Sequence, residues 1–246
     1  AIPAVVLMAL ISYGLVVWGK IVNQDISDAM VVEVYAKQFN WTARYAGDDN
    51  QLGRADVRFV GGKNELGVIS QSTKDSQIEN LDKKIQKLTN DIKKSENPAE
   101  KKLISKRLEK LEKKKKTLMT YFITTPMDKL MAAEDDIITK ELHLPVGKKV
   151  LFKFRSQDVI HSAYLPHFRV QMNCVPGTTT QFAFTPTITS ADMKKELNND
   201  SFEYVMLCNK ICGAAHYNMQ MKVIVETEEE YNAWLETQNQ TKISNL

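Results

Sequence analysis

Two cysteines, a histidine and a methionine fall within twelve residues: Cys208-Asn-Lys-Ile-Cys212-Gly-Ala-Ala-His216-Tyr-Asn-Met219, the pattern C-x3-C-x3-H-x2-M. A further histidine, His161, stands far upstream in QDVIHSAYLP, just after a strand-like run. Two thiolates, two imidazoles and a thioether are soft or borderline donors, a set that selects copper over magnesium or calcium. Zinc in a closed Cys2His2 tetrahedron is the rival metal. Zinc sites, however, usually pair cysteines at shorter spacing and leave Met219 without a role. A redox disulfide between Cys208 and Cys212, or two buried thiols beside a surface His216, would explain the cysteines singly; the joint spacing favours a metal. With Cys174 the cysteines number three, odd and too few for a disulfide framework.

Such donors need a rigid frame, and the surrounding runs supply one. KELHLPVGKKVLFKFRSQDV, TTTQFAFTPTI, FEYVML and MKVIVET are short, strand-like and separated by Pro, Gly and polar turns, as in a β-sandwich or barrel. MVVEVYAKQFNWTARY (residues 30–45) reads as a strand pair or one long strand, with turns at GDDNQLGR and VGGKN. EEEYNAWLETQ predicts a short surface helix with Tyr231, Trp234 and Leu235 inward.

Residues 1–19 carry no charged side chain, and the first charge is Lys20. Roughly 20 apolar residues span a bilayer as a helix, and Tyr13 and Trp18 suit its interfaces. A basic leader and a cleavage site, the marks of a signal peptide, are not evident. A buried helix of a soluble domain is the plain alternative.

The 246 residues hold 33 Lys+Arg against 30 Asp+Glu, a net charge of +3, with 43% hydrophobic residues. That composition excludes disordered and collagen-like chains. Residues 74–116 hold 15 basic and 8 acidic side chains, so the remainder holds 18 against 22 and is acidic. Within this segment Ile78, Leu81, Ile85, Leu88 and Ile92 recur at heptad spacing. Asn97 is a natural N-cap, with Pro98 at the first helical position and Glu100 at the third. Ile104, Leu108, Leu111 and Leu118 follow, with Lys115 where another apolar residue is due. The pattern predicts an antiparallel helical hairpin, either a solvated insertion or a docking arm for a partner. Nucleic acid is excluded, because acidic residues are interleaved and no aromatic lies between Lys74 and Lys116.

The run CNKICGAAHYNM, with QDVIHSAYLPHFRVQMNCVPG and KQFNWTARY upstream, resembles cytochrome c oxidase subunit II of the haem–copper oxidases. The likeness covers residues 1–60 and about 130–236, and leaves the hairpin outside. It implies a mainly β, cupredoxin-like β-sandwich or barrel with an N-terminal transmembrane helix, into which the antiparallel α-helical hairpin read from the spacing is inserted. Together these readings give a transmembrane helix over 1–22, a copper domain over 23–66 and 127–236, the coiled-coil hairpin over 67–126, and a polar tail over 237–246. The resemblance also implies a binuclear CuA centre of two copper ions. Cys208 and Cys212 would bridge the pair, with His161 and Met219 on one copper and His216 and the Lys210 backbone carbonyl on the other. Trp41 and Phe39 would mark where electrons enter. The chain would then be the electron-transfer subunit of an oxidoreductase, carrying electrons but performing no oxygen chemistry and holding no catalytic residue.

The implied partners are the catalytic subunit I, other oxidase subunits, the membrane, and a cytochrome c or tethered cytochrome donor. The implied location is a bacterial-type cytoplasmic membrane, with the copper domain on the periplasmic side. Two departures stand out. Lys210 replaces a Glu that helps hold Mg at the boundary with the catalytic subunit, which argues against a conventional Mg site. Phe39 falls where relatives carry an aromatic Trp-rich run, which favours a dedicated donor. The family has two membrane helices before the sandwich, so an upstream helix or a cleaved precursor is expected. His143 and His167 are assigned to no metal, and Cys174 to inert core. Other readings are a membrane-anchored copper-binding or delivery module, a structural subunit, and the CuA subunit of a nitric oxide reductase.

Overall fold

A computed structural model describes residues 2–61 and 64–245. The chain divides into two compact units, Ala1–Trp41 with Lys140–Tyr231, and Thr42–Thr139 with Asn232–Leu246.

The first unit opens with α1 (Ile2–Val22), which has no buried residue. Its 21 residues give a rod of about 31 Å. Among the described residues it is the one helix long and apolar enough to cross a membrane. The run over residues 30–45 is broken at Gln38–Phe39 into two strands, β1 (Met30–Lys37) and β2 (Asn40–Tyr45), and the peptide bond at the break is cis.

Two sheets build this unit. In one, β1 runs parallel to β5 (Val150–Ser156), with Met30 opposite Val150, and β5 runs antiparallel to β8 (Thr180–Phe184). In the other, the order is β4 (Leu142–Pro145), β10 (Gln220–Glu226), β9 (Tyr204–Cys208), β6 (His161–Leu165) and β7 (Val170–Cys174). Here β4 and β10 pair in parallel and the other pairs are antiparallel. Aromatic rings bridge the sheets: Phe168 lies 5.2 Å from Phe184 and 4.9 Å from Tyr204. Phe168 and Phe184 are half-buried and Tyr204 is buried, so each contributes up to the roughly 1.5–3 kcal/mol of a fully buried ring. Because β1 is buried on both faces, Glu33 is buried as well, and Arg155 pairs with it at 3.2 Å. A short α5 (Ser190–Glu196) leads into β9. The unit is the expected β-sandwich.

The second unit holds β2 and β3 (Ile137–Thr139), which pair antiparallel, and the predicted hairpin. Its helices are α2 (Gln71–Lys94) and α3 (Pro98–Thr124), followed by α4 (Met127–Met131). Asn97 caps α3 as expected, its side chain accepting from the backbone N–H groups of Ala99 and Glu100. Lys115, the apparent fault in the seam, reaches across to an ion pair with Asp82. The base of the hairpin is core: Phe59, Ile69, Leu81, Leu118, Phe122 and Leu130 pack as one buried cluster. Arg44 and Asp136 form a buried ion pair at 3.0 Å, and both also bond the Gly53 backbone. Gly62 and Lys63, in the turn expected at VGGKN, lie outside the described residues. The C-terminal helix is α6 (Glu228–Thr237). Beyond it, residues 238–245 dock rather than trail. Ile243 is 1% exposed, and its N–H donates to the Asp136 carbonyl.

Candidate metal centre

Strand β9 ends at Cys208 and β10 begins at Gln220, so the cysteine–histidine–methionine run is the loop between two paired strands. The loop folds back on itself. The N–H of Cys208 donates to the Met219 carbonyl at 3.0 Å, and a short turn at His216–Asn218 brings His216 inward. Strand β6 lies beside β9 with Ala163 opposite Cys208, which brings His161, the first residue of β6, next to the first cysteine.

The donors converge. Cys208 Sγ lies 3.8 Å from Cys212 Sγ and 3.8 Å from His161 Nδ1. Cys212 Sγ lies 3.5 Å from His216 Nδ1 and 3.8 Å from Met219 Sδ. The Lys210 carbonyl oxygen is 3.3 Å from Cys208 Sγ, while its side chain is exposed. Ligands held about 2.0–2.3 Å from a common ion stand roughly 3.3–3.8 Å from one another, so these spacings suit a soft metal. The cysteines are free thiols, far from the ~2.05 Å of a disulfide bond. His161, Cys208 and Cys212 form one group whose ligand atoms lie within 4.8 Å of each other, and His216 stands outside it on the Cys212 side. The donors therefore spread along the thiol pair instead of closing around one point.

The surroundings are dry and oriented. His161, Cys208, Cys212 and Met219 are buried and His216 is half-buried. His161 Nε2 lies 2.9 Å from Asp158 Oδ1, so Nε2–H donates there and Nδ1 keeps its lone pair for the thiol side. Burial alone would raise the Asp158 carboxyl. Donation from the Gln38 N–H, from His161 and from the Val159 N–H outweighs it and holds the group below its ordinary value. Burial, reinforced by the Cys208 thiol, pushes Cys212 up to about 11. In the metal-free protein it is therefore a thiol at neutral pH, and metal binding must release its proton.

Of the two aromatics expected where electrons enter, Trp41 is 2% exposed. Its indole N–H donates to the Met219 carbonyl at 3.4 Å, and its ring lies 6.0 Å from that of His161. Phe39 is half-buried, with its ring edge against Gly213. His143 pairs instead with Glu226 at 2.8 Å, and His167 packs edge-on to Phe202. Cys174 is fully buried, opposite His161, with burial pushing its thiol up to about 12. The sequence pattern alone gives Asp158, Gln38 and Gly213 no role. Of the three only Asp158 carries a local signal, an acid three residues before the candidate ligand His161.

The family described as cytochrome c oxidase subunit II, periplasmic domain, matches residues 114–227. An alternative cytochrome c oxidase subunit 2 of Bradyrhizobium diazoefficiens is 30% identical over 232 residues, 94% of this chain and 58% of that protein. The chain is similar to the cytochrome c oxidase subunit II family, and the family match covers residues 114–227. A cytochrome c oxidase subunit 2 of Thermostichus vulcanus is 36% identical over 102 residues, 41% of this chain and 27% of the relative. The chain thus spans little more than half the length of one of these relatives and about a quarter of the other. The crystal structure of the periplasmic domain of subunit II of the Bradyrhizobium japonicum cytochrome oxidase aligns with 86% of this chain and 94% of its own, at 16% identity and TM-score 0.43. In this chain the β-sandwich carries the donor loop between β9 and β10.

Proposed function

We propose that this chain is the electron-transfer subunit of a respiratory terminal oxidase, taking electrons from a cytochrome donor and passing them to haem in a catalytic subunit. The observation that carries the reading is the spread of soft donors along the Cys208–Cys212 pair, with His161 Nδ1 at one end and His216 Nδ1 at the other. His161, Cys208, Cys212, His216, Met219 and the Lys210 carbonyl would hold a binuclear CuA centre. Such a centre would supply one-electron carriage.

The chain's own residues do the rest. Asp158 fixes the His161 tautomer, Trp41 anchors Met219 through its carbonyl, and burial excludes water from the sulfurs. Phe39, half-exposed over the loop, is the approach for electrons, with Trp41 behind it. The loop tip, with Ile211 86% exposed and Tyr217 89% exposed, suits an apolar interface and is assigned to the catalytic subunit. Lys210 in this tip leaves no carboxylate for Mg. Helix α1 anchors the chain in the cytoplasmic membrane, with the sandwich on the outer side.

Metal analysis of the intact membrane complex, with an electron spin spectrum, tests this. Two coppers per chain and a mixed-valence signal are expected. Cys212→Ser should abolish that signal while the sandwich stays folded. One zinc and no copper would sink the reading.

A further inference from the structure

We propose that Gln38 is a positioning residue for the metal centre, its carboxamide clamping the Cys212 carbonyl so that the ligand loop is held ready before metal arrives. The inference rests on the copper reading above for its consequence, and on geometry alone for the clamp.

Gln38 lies at the break between β1 and β2, remote in sequence from the ligand loop, and it bonds both the carboxylate that holds His161 and the carbonyl of Cys212. Its backbone N–H donates to Asp158 Oδ2 at 2.8 Å, and the other oxygen of that carboxylate holds His161. Its side-chain Nε2 donates to the carbonyl of Cys212. One residue therefore ties the β5–β6 turn to the middle of the β9–β10 loop.

The loop is shaped to receive it. Gly213 has φ 141°, a conformation that L side chains rarely adopt. A Cβ at that position would sit 2.8 Å from Gln38 Nε2 and 2.9 Å from Phe39 Cε1 and Cζ. Those distances are closer than carbon atoms tolerate, so the Gln38–Phe39 turn and the Cys212–Gly213 peptide are already in full contact.

The clamp is needed because apolar packing does not hold the loop tip. Lys210 is exposed and Ile211 is 86% exposed, so little buried surface holds the stretch between the cysteines in place. Trp41 anchors the loop at its far end through the Met219 carbonyl. Gln38 anchors the centre, beside the thiol that faces Cys208, His216 and Met219.

The test uses Gln38→Leu and Gln38→Glu in the full chain. Every side-chain substitution keeps the backbone bond to Asp158, so only the clamp is removed. Leu cannot donate, and an ionised Glu would set an acceptor against the Cys212 carbonyl. In the metal-free protein, amide exchange over residues 209–219 should quicken about tenfold, the scale of one lost hydrogen bond, with β5 and β10 unchanged. In the copper-loaded protein, the near-infrared absorption and the reduction potential should both shift. Wild-type exchange with wild-type potential would overturn the proposal. So would exchange that quickens equally throughout the sandwich, which would mark Gln38 as merely structural. If the wild-type chain takes up no copper the oxidase reading fails, and the metal-free measurement still decides the clamp.

Discussion

His161 can offer Nδ1 to a metal because Asp158 occupies its other nitrogen, and Asp158 can do so because three N–H donors keep it ionised. Arrangements of this kind, one residue setting the charge state of the next, recur away from the centre. Tyr231 on α6 is 6% exposed, with its hydroxyl 3.3 Å from Met30 Sδ. Burial, then the nearby Glu226 charge, pushes its phenol upward. A phenol whose folded value is raised contributes its full stability below the unfolded value of about 10. That contribution fades as pH climbs beyond it, because the unfolded chain releases the proton first. Tyr231→Phe should therefore flatten the fall in melting temperature between pH 9.5 and about 11.5. Parallel curves for the two proteins would show that this phenol is not linked to folding.

Among the elements, the hairpin and the ligand loop differ in how openly the sequence displays them. The helices of the hairpin follow local rules: the i, i+3, i+4 rows and the Asn97-Pro98 start were legible before any fold was known. What local spacing could not reveal is depth. Leu118 is 1% exposed and belongs to the cluster with Phe59 and Ile69, whereas Leu103, on the same helix, is 53% exposed. Leu118→Ala should cost about 2–5 kcal/mol in chemical denaturation, and Leu103→Ala nearly nothing. Equal costs would mean the seam is uniform and the base carries no special load. The candidate metal loop is legible for the same local reason, four candidate ligands within twelve residues. The parallel pairings of β1 with β5 and of β4 with β10 join distant segments, so no turn signal announced them. Gln38 was invisible for the same reason. Residues 238–245 look like a polar tail by composition, yet buried Ile243 and the backbone bonds of Ile243 and Ser244 to Asp136 and Glu134 dock them.

At the scale of the whole molecule, the net charge of +3 divides between an acidic body and a basic hairpin. An acidic body would favour encounter with a basic partner such as the cytochrome donor proposed above, so the hairpin's charge has to serve some other purpose or none. Every proposed metal ligand lies in the unit made of Ala1–Trp41 and Lys140–Tyr231, and the hairpin lies wholly in the other. Its removal can therefore be made selective, provided the cut spares the buried base. Excising all of α2 and α3 would strip Leu81, Leu118 and Phe122 from the cluster and leave Phe59, Ile69 and Leu130 uncovered. Replacing residues 86–110 with a short flexible turn keeps those layers, and keeps the Lys115–Asp82 pair that closes the seam. The shortened protein should match the full chain in copper content, near-infrared spectrum and reduction potential. Co-purification of the catalytic subunit then separates the two readings of the arm: its loss with an intact copper signal identifies a docking surface, and its retention identifies a solvated insertion. A changed copper spectrum would show that removal of the outer hairpin is not selective.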